Sequence, residues 1–373
     1  MDNPNHGQTC RRCGLASSTI VRSEPLCQVC FVKYVSTKTV KRLETFAVRH
    51  SEPDKERRLL LPLSMGVSSL TLLHILQGHL NRQIERTGRT GFSLHVVFVD
   101  CSIIDDAAPT VVSLRTVQER FPGPIYSTVR LEDIFKTQDH GHGETEPNDG
   151  SATAKLFALF SALPSPTSRI DVASNILTRL VVDVALSSSC EAVLWGDSTT
   201  RLAEKTLSET AKGRGFSLPW QIGDGSTPFG LAFHYPLRDL LKKELVAHAS
   251  IVSPPLEPLV NISSSPAHQV AVSAKNTTID FLMKQYFESV EENYPSIVAN
   301  VVRTATKLET STSTPERRCR LCKMPITEDL LGIHGWGGDE TDAVPSSGAE
   351  LGHGLCYGCT RSVPVEAIDL LPT

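Results

Sequence analysis

Eight of the ten cysteines stand in four Cys-x-x-Cys pairs: Cys10/Cys13, Cys27/Cys30, Cys319/Cys322 and Cys356/Cys359. No other feature constrains the chain as strongly, because each pair is a knuckle that must meet a second knuckle to complete a tetrahedral thiolate site. Thirteen residues separate Cys13 from Cys27. That spacing predicts one closed four-cysteine zinc site near the N-terminus, against the alternative of buried free thiols clustered by chance. Thirty-three residues separate Cys322 from Cys356, and the stretch between them is rich in glycine. This suits a zinc ribbon with an extended loop, in which His334 or His353 could replace a thiolate. Both sites read as structural, with no open position for catalysis. The two remaining cysteines, Cys101 and Cys190, lie beside strand-like segments and read as buried core thiols.

Cys-x-x-Cys pairs of this kind belong to a reducing compartment. The chain has no apolar run of 18 residues, and its N-terminus, MDNPNHGQTCRRC, lacks an apolar signal region. A soluble, cytoplasmic protein without a membrane partner is the expectation. A length of 373 residues allows two to three domains.

Between the cysteine modules the pattern changes. LLLPL (59–63), SLHVVFVD (93–100), YSTVRL (126–131) and AVLWGD (192–197) read as strands, while LTLLHILQGHL (70–80) and the segment after 197 have helical periodicity. Strands alternating with helices predict an α/β fold with a doubly wound parallel sheet. The divisions expected are a zinc module plus basic helix (1–58, with SEPDKERR as a solvated linker), an α/β domain (59–260), a helical segment (261–308), and a linker with a zinc ribbon (309–373). The acidic stretch 137–151 reads as a mobile insertion.

The turn after the first of these strands is Ser64-Met65-Gly66-Val67-Ser68-Ser69. A strand, a small-residue turn and a helix form a phosphate cradle when backbone N–H groups converge on an anion. The absence of Gly-Lys-Ser/Thr excludes a Walker A loop. The segment resembles a pyrophosphatase loop, Ser-Gly-Gly-x-Asp-Ser, with Ser64, Gly66 and Ser69 matching. Met65 stands where that pattern has glycine, and Ser68 where it has aspartate. A methionine there is expected to obstruct close approach of a pyrophosphate.

Taken in order, CRRC, EPLCQVCFVKYVSTKTVKRLE, LPLSMGVSSLTLLHIL, LPSPTSRIDVASNIL, LWGDSTTRLAEKTLSETAKGRGFSLPW and the terminal CRLC and CYGC resemble the cytoplasmic tRNA 2-thiolation protein 2 family. The likeness runs over most of the chain. It implies an adenine nucleotide alpha hydrolase-like fold. It also implies a heterodimer with a catalytic thiolase, which makes 2-thiouridine at the wobble position of the tRNAs for lysine, glutamate and glutamine. The sulfur would come from a thiocarboxylated ubiquitin-related modifier, a third partner that also conjugates to proteins. Catalytic relatives carry Asp-Asp after Gly-His; the matching stretch here, Gly196 to Arg201, has Thr and Arg. They carry Cys-x-x-Cys where this chain has Ser165-Pro166-Thr167-Ser168, and their third cysteine falls near 248–258, which has none. The resemblance therefore implies a non-catalytic subunit that binds tRNA and scaffolds its partner. Ser64, Gly66, Ser68 and Ser69 would form only a vestigial nucleotide loop, and ATP binding by this chain is not expected. One alternative is an ATP-dependent tRNA-adenylating sulfurtransferase in its own right. Another is a zinc-ribbon interaction protein unrelated to RNA.

A net charge of −4 gives no global nucleic-acid signature. Residues 1–58, however, hold eleven Lys and Arg against six Asp and Glu, leaving the rest of the chain acidic. Within 31–50, Val32, Val35, Leu43 and Phe46 are expected on one helical face, with Lys38, Lys41, Arg42 and Arg49 to one side of it. Lys38, Lys41 and Arg42 are the first candidate tRNA contacts. Arg201, Lys205, Lys212 and Arg214 form the second candidate patch, which could instead meet the partner subunit.

Overall fold

The computed structural model describes residues 9–21, 23–52, 56–105, 111–136, 149–261, 277–309, 317–326 and 354–372. The chain opens with a short hairpin, β1 (Thr19–Val21) and β2 (Glu24–Leu26), followed by helix α1 (Gln28–Lys41). It then enters strand β3 (Arg58–Pro62), helix α2 (Val67–Thr87), strand β4 (Ser93–Asp100), helix α3 (Val111–Arg120) and strand β5 (Ile125–Arg130). Helices α4 (Asp149–Ala162) and α5 (Pro166–Ser187) lead to β6 (Ala192–Leu194), α6 (Thr199–Ala211), α7 (Leu218–Ile222), β7 (Gly225–Ser226), β8 (Ala232–His234) and α8 (Lys242–Ile251). Helices α9 (Ile279–Asn293), α10 (Pro295–Ala305) and α11 (Tyr357–Ser362) complete the described elements.

Six strands form one sheet in the order β5-β4-β3-β6-β8-β7. All neighbours pair in parallel except the edge pair β7–β8, which is antiparallel. The doubly wound α/β fold is thus as expected, with an antiparallel edge added by the short segments 225–234. Strand β3 is apolar throughout because both its faces are covered. Leu59 and Leu61 join a core with α2, α3 and α8, whereas Leu60 joins Val97 and Val193 against α5 and α6. Helix α2 runs on past its expected end and stops at Gly88, whose φ of 70° supplies the left-handed cap.

Helix α1 is shorter than the basic segment suggested. It ends at Lys41, and two 3₁₀ turns, Glu44–Phe46 and Val48–His50, carry the chain back to the body. Its buried residues are Phe31, Tyr34, Val35 and Thr39, so Leu43 and Phe46 reach the same core from outside the helix. The segment 51–58 is not simply a solvated linker. Arg57 pairs with Glu191 at 2.6 Å and lies 4.6 Å from the Phe46 ring centroid, while Glu56 accepts from Ser93 at 2.7 Å. At the other end, Cys319, Leu321, Cys356 and Cys359 share a core with α4, α5 and the 3₁₀ turn Leu131–Phe135. Residues 137–148 of the acidic stretch, His334 and His353 lie outside the described residues; 149–151 begin α4.

Candidate functional site

Both sets of four cysteines converge. In each, the four sulfurs lie within 4.8 Å of one another. Cys13 and Cys27 sulfurs are 3.5 Å apart, and those of Cys322 and Cys356 are 3.7 Å apart. A tetrahedron with metal–sulfur bonds of ~2.3 Å has edges of about 3.8 Å, so both cages fit a thiophilic ion such as zinc. Backbone amides support the sulfurs: Cys30 N–H donates to Cys27 Sγ and Cys356 N–H to Cys319 Sγ. In the first cage, backbone hydrogen bonds, chiefly from Cys27, lower the Cys10 thiol to about 6. Burial together with the neighbouring sulfurs pushes Cys30 up to about 12. Thiols crowded this closely cannot all ionise without a cation between them.

The Ser64–Ser69 turn sits at the carboxyl end of β3, beside the point where the sheet order reverses between β3 and β6. Ligands of doubly wound folds bind at such a crevice. The crevice is a cavity of about 520 Å³, lined among others by Ser64, Ser69, Val99, Trp195 and Gly196. The loop is tied to itself. Ser69 Oγ donates to the Gly66 carbonyl at 3.1 Å and lies 3.1 Å from Ser64 Oγ. Gly196 abuts the start of α2 so closely that a Cβ on it would stand 3.0 Å from Ser69 Cα.

The expected obstruction by Met65 is not what the structure contains. Its side chain is fully buried in the core on the α2 side of the sheet. Its φ is 58°, the left-handed conformation that a glycine would accept without cost. The Met65 side chain therefore leaves the cradle open, and the mismatch lies in backbone conformation. Electrostatics offers a polyphosphate little attraction instead. Five carboxylates (Asp105, Asp171, Asp197, Glu209 and Asp280) line the cavity against three cations, Arg201, Lys205 and Lys212, and Arg214 pairs with Asp171 and Glu209 from behind the wall.

Several positions in the stretches that differ from catalytic relatives carry local structural tasks. Ser165 caps α5 by accepting from Ser168 N–H at 3.1 Å, and Pro166 occupies the first turn. Ser198 caps α6. Thr200 is fully buried, donates to Glu291 at 2.6 Å and accepts from Lys242 N–H. Cys190 is buried as expected, but Cys101 is only half-buried and lines the cavity. Burial raises both thiols to about 11, so neither is an activated nucleophile near neutrality.

The second basic patch is not a surface. Arg214 is 1% exposed. It donates to Glu209 at 2.6 Å, to both oxygens of Asp171, and to Cys359 Sγ at 3.9 Å. Lys212 is buried with it and pairs with Asp171, Glu209 and Asp280 at 2.9–3.2 Å. Lys205 lies 6.0 Å from the Trp195 ring centroid beside the cavity. Only Arg201 is exposed, and Glu204 holds it at 3.0 Å. Arg214 and Lys212 form an internal brace beside the C-terminal cysteine module, because Arg and Lys so deeply desolvated require carboxylates rather than phosphates in solution. Helical phase at 197–214, with acids at 204 and 209, carried part of that signal.

The first basic patch divides. Lys41 is exposed on α1, Lys38 lies 5.7 Å from the Tyr34 ring centroid, and Arg42 pairs with Asp239 at 2.7 Å and with Asp224 at 3.5 Å. Arg49 pairs with Glu44.

A family model described as cytoplasmic tRNA 2-thiolation protein 2 matches residues 278–361. A protein of that description from Pyrenophora tritici-repentis is 50% identical over 366 residues, covering 96% of this chain and 95% of its own. One from Coccidioides immitis is 36% identical over 374 residues, covering 95% and 97%. Among solved structures, the U34-tRNA thiolase NcsA from Methanococcus maripaludis, with its [4Fe-4S] cluster, is similar in fold. The TM-score is 0.57 at 15% identity, over 85% of this chain and 92% of that one.

Proposed function

Because the chain belongs to the cytoplasmic tRNA 2-thiolation protein 2 family, we propose that it is the non-catalytic subunit of a heterodimeric wobble-uridine thiolase. In this reading it binds tRNA and holds a catalytic thiolase, which receives sulfur from a thiocarboxylated ubiquitin-related modifier. The substrates are the tRNAs for lysine, glutamate and glutamine, and the complex works in the cytoplasm. Among the described residues no helix is long and apolar enough to cross a membrane.

The observation that carries the reading is the crevice at the β3–β6 switch. Its loop hydroxyls are bonded to the loop itself, and its walls carry more carboxylates than cations. A nucleotide triphosphate entering it would find no surplus of positive charge to hold its phosphates, because Arg201 and Lys212 are already paired with carboxylates. The serines and threonines at the positions of the catalytic acids and cysteines are committed to helix caps and buried hydrogen bonds. Zinc at both four-cysteine sites would fix the terminal modules to the body: the first beside α1, the second against α5 through Arg214. Each ion would neutralise a thiolate cage and contribute folding energy, with no chemistry on substrate.

The test is a wobble-thiolation assay reconstituted from tRNA-Lys, ATP, the sulfur donor, this chain and the thiolase, with each component omitted in turn. The expected result is loss of thiolation when either subunit is absent, and no tRNA adenylation by this chain alone. Adenylation by the isolated chain would support the alternative, to which the persistence of the cavity lends some weight.

A further inference from the structure

We propose that the tRNA backbone lies in the groove between α1 and the C-terminal half of α2, held by Lys33 and Lys41 from one wall and Arg82 and Arg86 from the other. This deepens the tRNA-binding reading above and rests on it. The groove encloses about 660 Å³, and these four cations line it. All four are exposed, and no carboxylate among the described residues pairs with any of them. Nearby arginines behave differently: Arg42, Arg49, Arg57 and Arg58 each have an acidic partner. The single carboxylate of the groove, Glu44, is itself occupied by Arg49.

Arg82 and Arg86 stand four apart on one helix, a like-charge spacing that costs an isolated helix ~0.2–0.5 kcal/mol. Lys33 and Lys41 stand eight residues apart on α1, about 12 Å along its axis. Four uncompensated cations on two facing helices make a local positive trough on an otherwise acidic chain, which suits a polyanion whose phosphates follow a line. Ser36 and Thr37 place hydroxyls in the same groove, where phosphate and ribose oxygens can be bonded. Val29, Val32 and Val40 also line the groove. An acidic amphipathic segment of a protein would use these valines; RNA would use the rim.

The position carries a geometric consequence. Helix α2 begins at the vestigial loop, and Arg82 lies fifteen residues from its first residue, Val67, or ~22 Å along the axis. The groove is therefore separate from this chain's own crevice, and RNA held along it can extend over a second subunit, as a scaffolding subunit requires.

The experiment titrates a tRNA-Lys transcript with the full chain, alone and with the thiolase, at several KCl concentrations. The comparison is wild type against Arg82→Gln/Arg86→Gln, with Arg303→Gln/Lys307→Gln as an equal charge change at the C-terminal end of α10 and just beyond it, away from the groove. Loss of two phosphate contacts should reduce the log–log salt slope by roughly 1.4–1.8, so that between 50 and 200 mM salt wild-type affinity falls roughly seven- to twelvefold more than the variant's. The control pair should keep the wild-type slope. Melting temperature and zinc content are measured alongside and should be unchanged, since all four substitutions are exposed. An unchanged slope in the folded groove variant overturns the groove while leaving tRNA binding intact. An unchanged slope accompanied by lost co-purification with the thiolase assigns the groove to a protein segment instead. If wild type binds no tRNA in either form, the tRNA-binding reading falls, and the groove proposal with it.

Discussion

Replacing Arg214 by methionine tests whether the buried brace is what couples the body to the C-terminal cysteine module. The guanidinium contacts Glu209, both oxygens of Asp171 and the sulfur of Cys359, all away from solvent. Methionine keeps much of the stem but leaves Lys212 as the cation paired with Asp171 and Glu209, at 3.2 and 2.9 Å, with Ser362 still donating to Asp171 at 2.7 Å and Gln221 to Glu209 at 3.3 Å. Removing one partner of a buried ion pair costs about 3–5 kcal/mol; with Lys212 still in place, the lower end, about 3 kcal/mol, is expected. The pH dependence has a definite sign. In the wild type, burial opposes ionisation of Glu209, but Arg214 and Lys212 together outweigh it and hold the carboxyl well below its usual range. A carboxyl depressed on folding stabilises above its unfolded value and loses that contribution only as pH falls toward the folded one, so this group gives the wild type no loss between pH 8 and 5. Without Arg214, burial weighs more heavily and the Glu209 carboxyl rises. The deficit of the variant is then greatest at pH 8 and narrows as the pH falls and a proton is taken up. Urea denaturation followed by intrinsic tryptophan fluorescence at both pH values measures it. Chelator-driven release of the C-terminal ion should also quicken, because Gly358 packs on the Arg214 stem so closely that a Cβ would come within 2.3 Å of Arg214 Cγ. A loss below about 1 kcal/mol at pH 8, or a deficit that grows on acidification, would refute the reasoning.

Elemental analysis should find two zinc equivalents per chain, and Cys27→Ser should lose one of them together with protection of α1 from proteolysis, since metal binding and folding are coupled in such cages. Met65→Gly should relieve roughly 1–2 kcal/mol of left-handed backbone cost but lose about 2–5 kcal/mol of buried side chain, giving a net destabilisation in urea titration and no gain in ATP binding by calorimetry. In Gly91→Ala the new Cβ would stand 2.2 Å from the Phe46 carbonyl oxygen and 2.9 Å from Val48 N, both backbone atoms that cannot swing aside. Faster hydrogen exchange over 28–50 and a loss of about 1–3 kcal/mol are expected.

The sequence by itself determined what depends on local pattern. Cys-x-x-Cys knuckles, a turn between an apolar strand and a periodic helix, and continuous apolar runs such as Leu59–Leu61 each mark a structure that forms over a few neighbouring residues. The parallel sheet followed from them because a strand covered on both faces has little room for polar residues. Strand β6 shows as the apolar start of AVLWGD, whereas the three-residue β8 and the two-residue antiparallel β7 carry too few residues for a period to show, and only pairing in the sheet defines them. Side-chain fate was decided by tertiary structure. Lys38, Lys41 and Arg42 look alike in the sequence, yet the fold gives them a tyrosine ring, an open groove and two aspartates respectively. Arg214 reads as surface until Asp171, 43 residues away, and Cys359, 145 residues away, close around it. Met65 reads as an obstruction until its backbone angle turns the side chain into the core. In each case the energy of a charge or a buried side chain depends on partners distant in the chain, and folding alone brings those partners within reach.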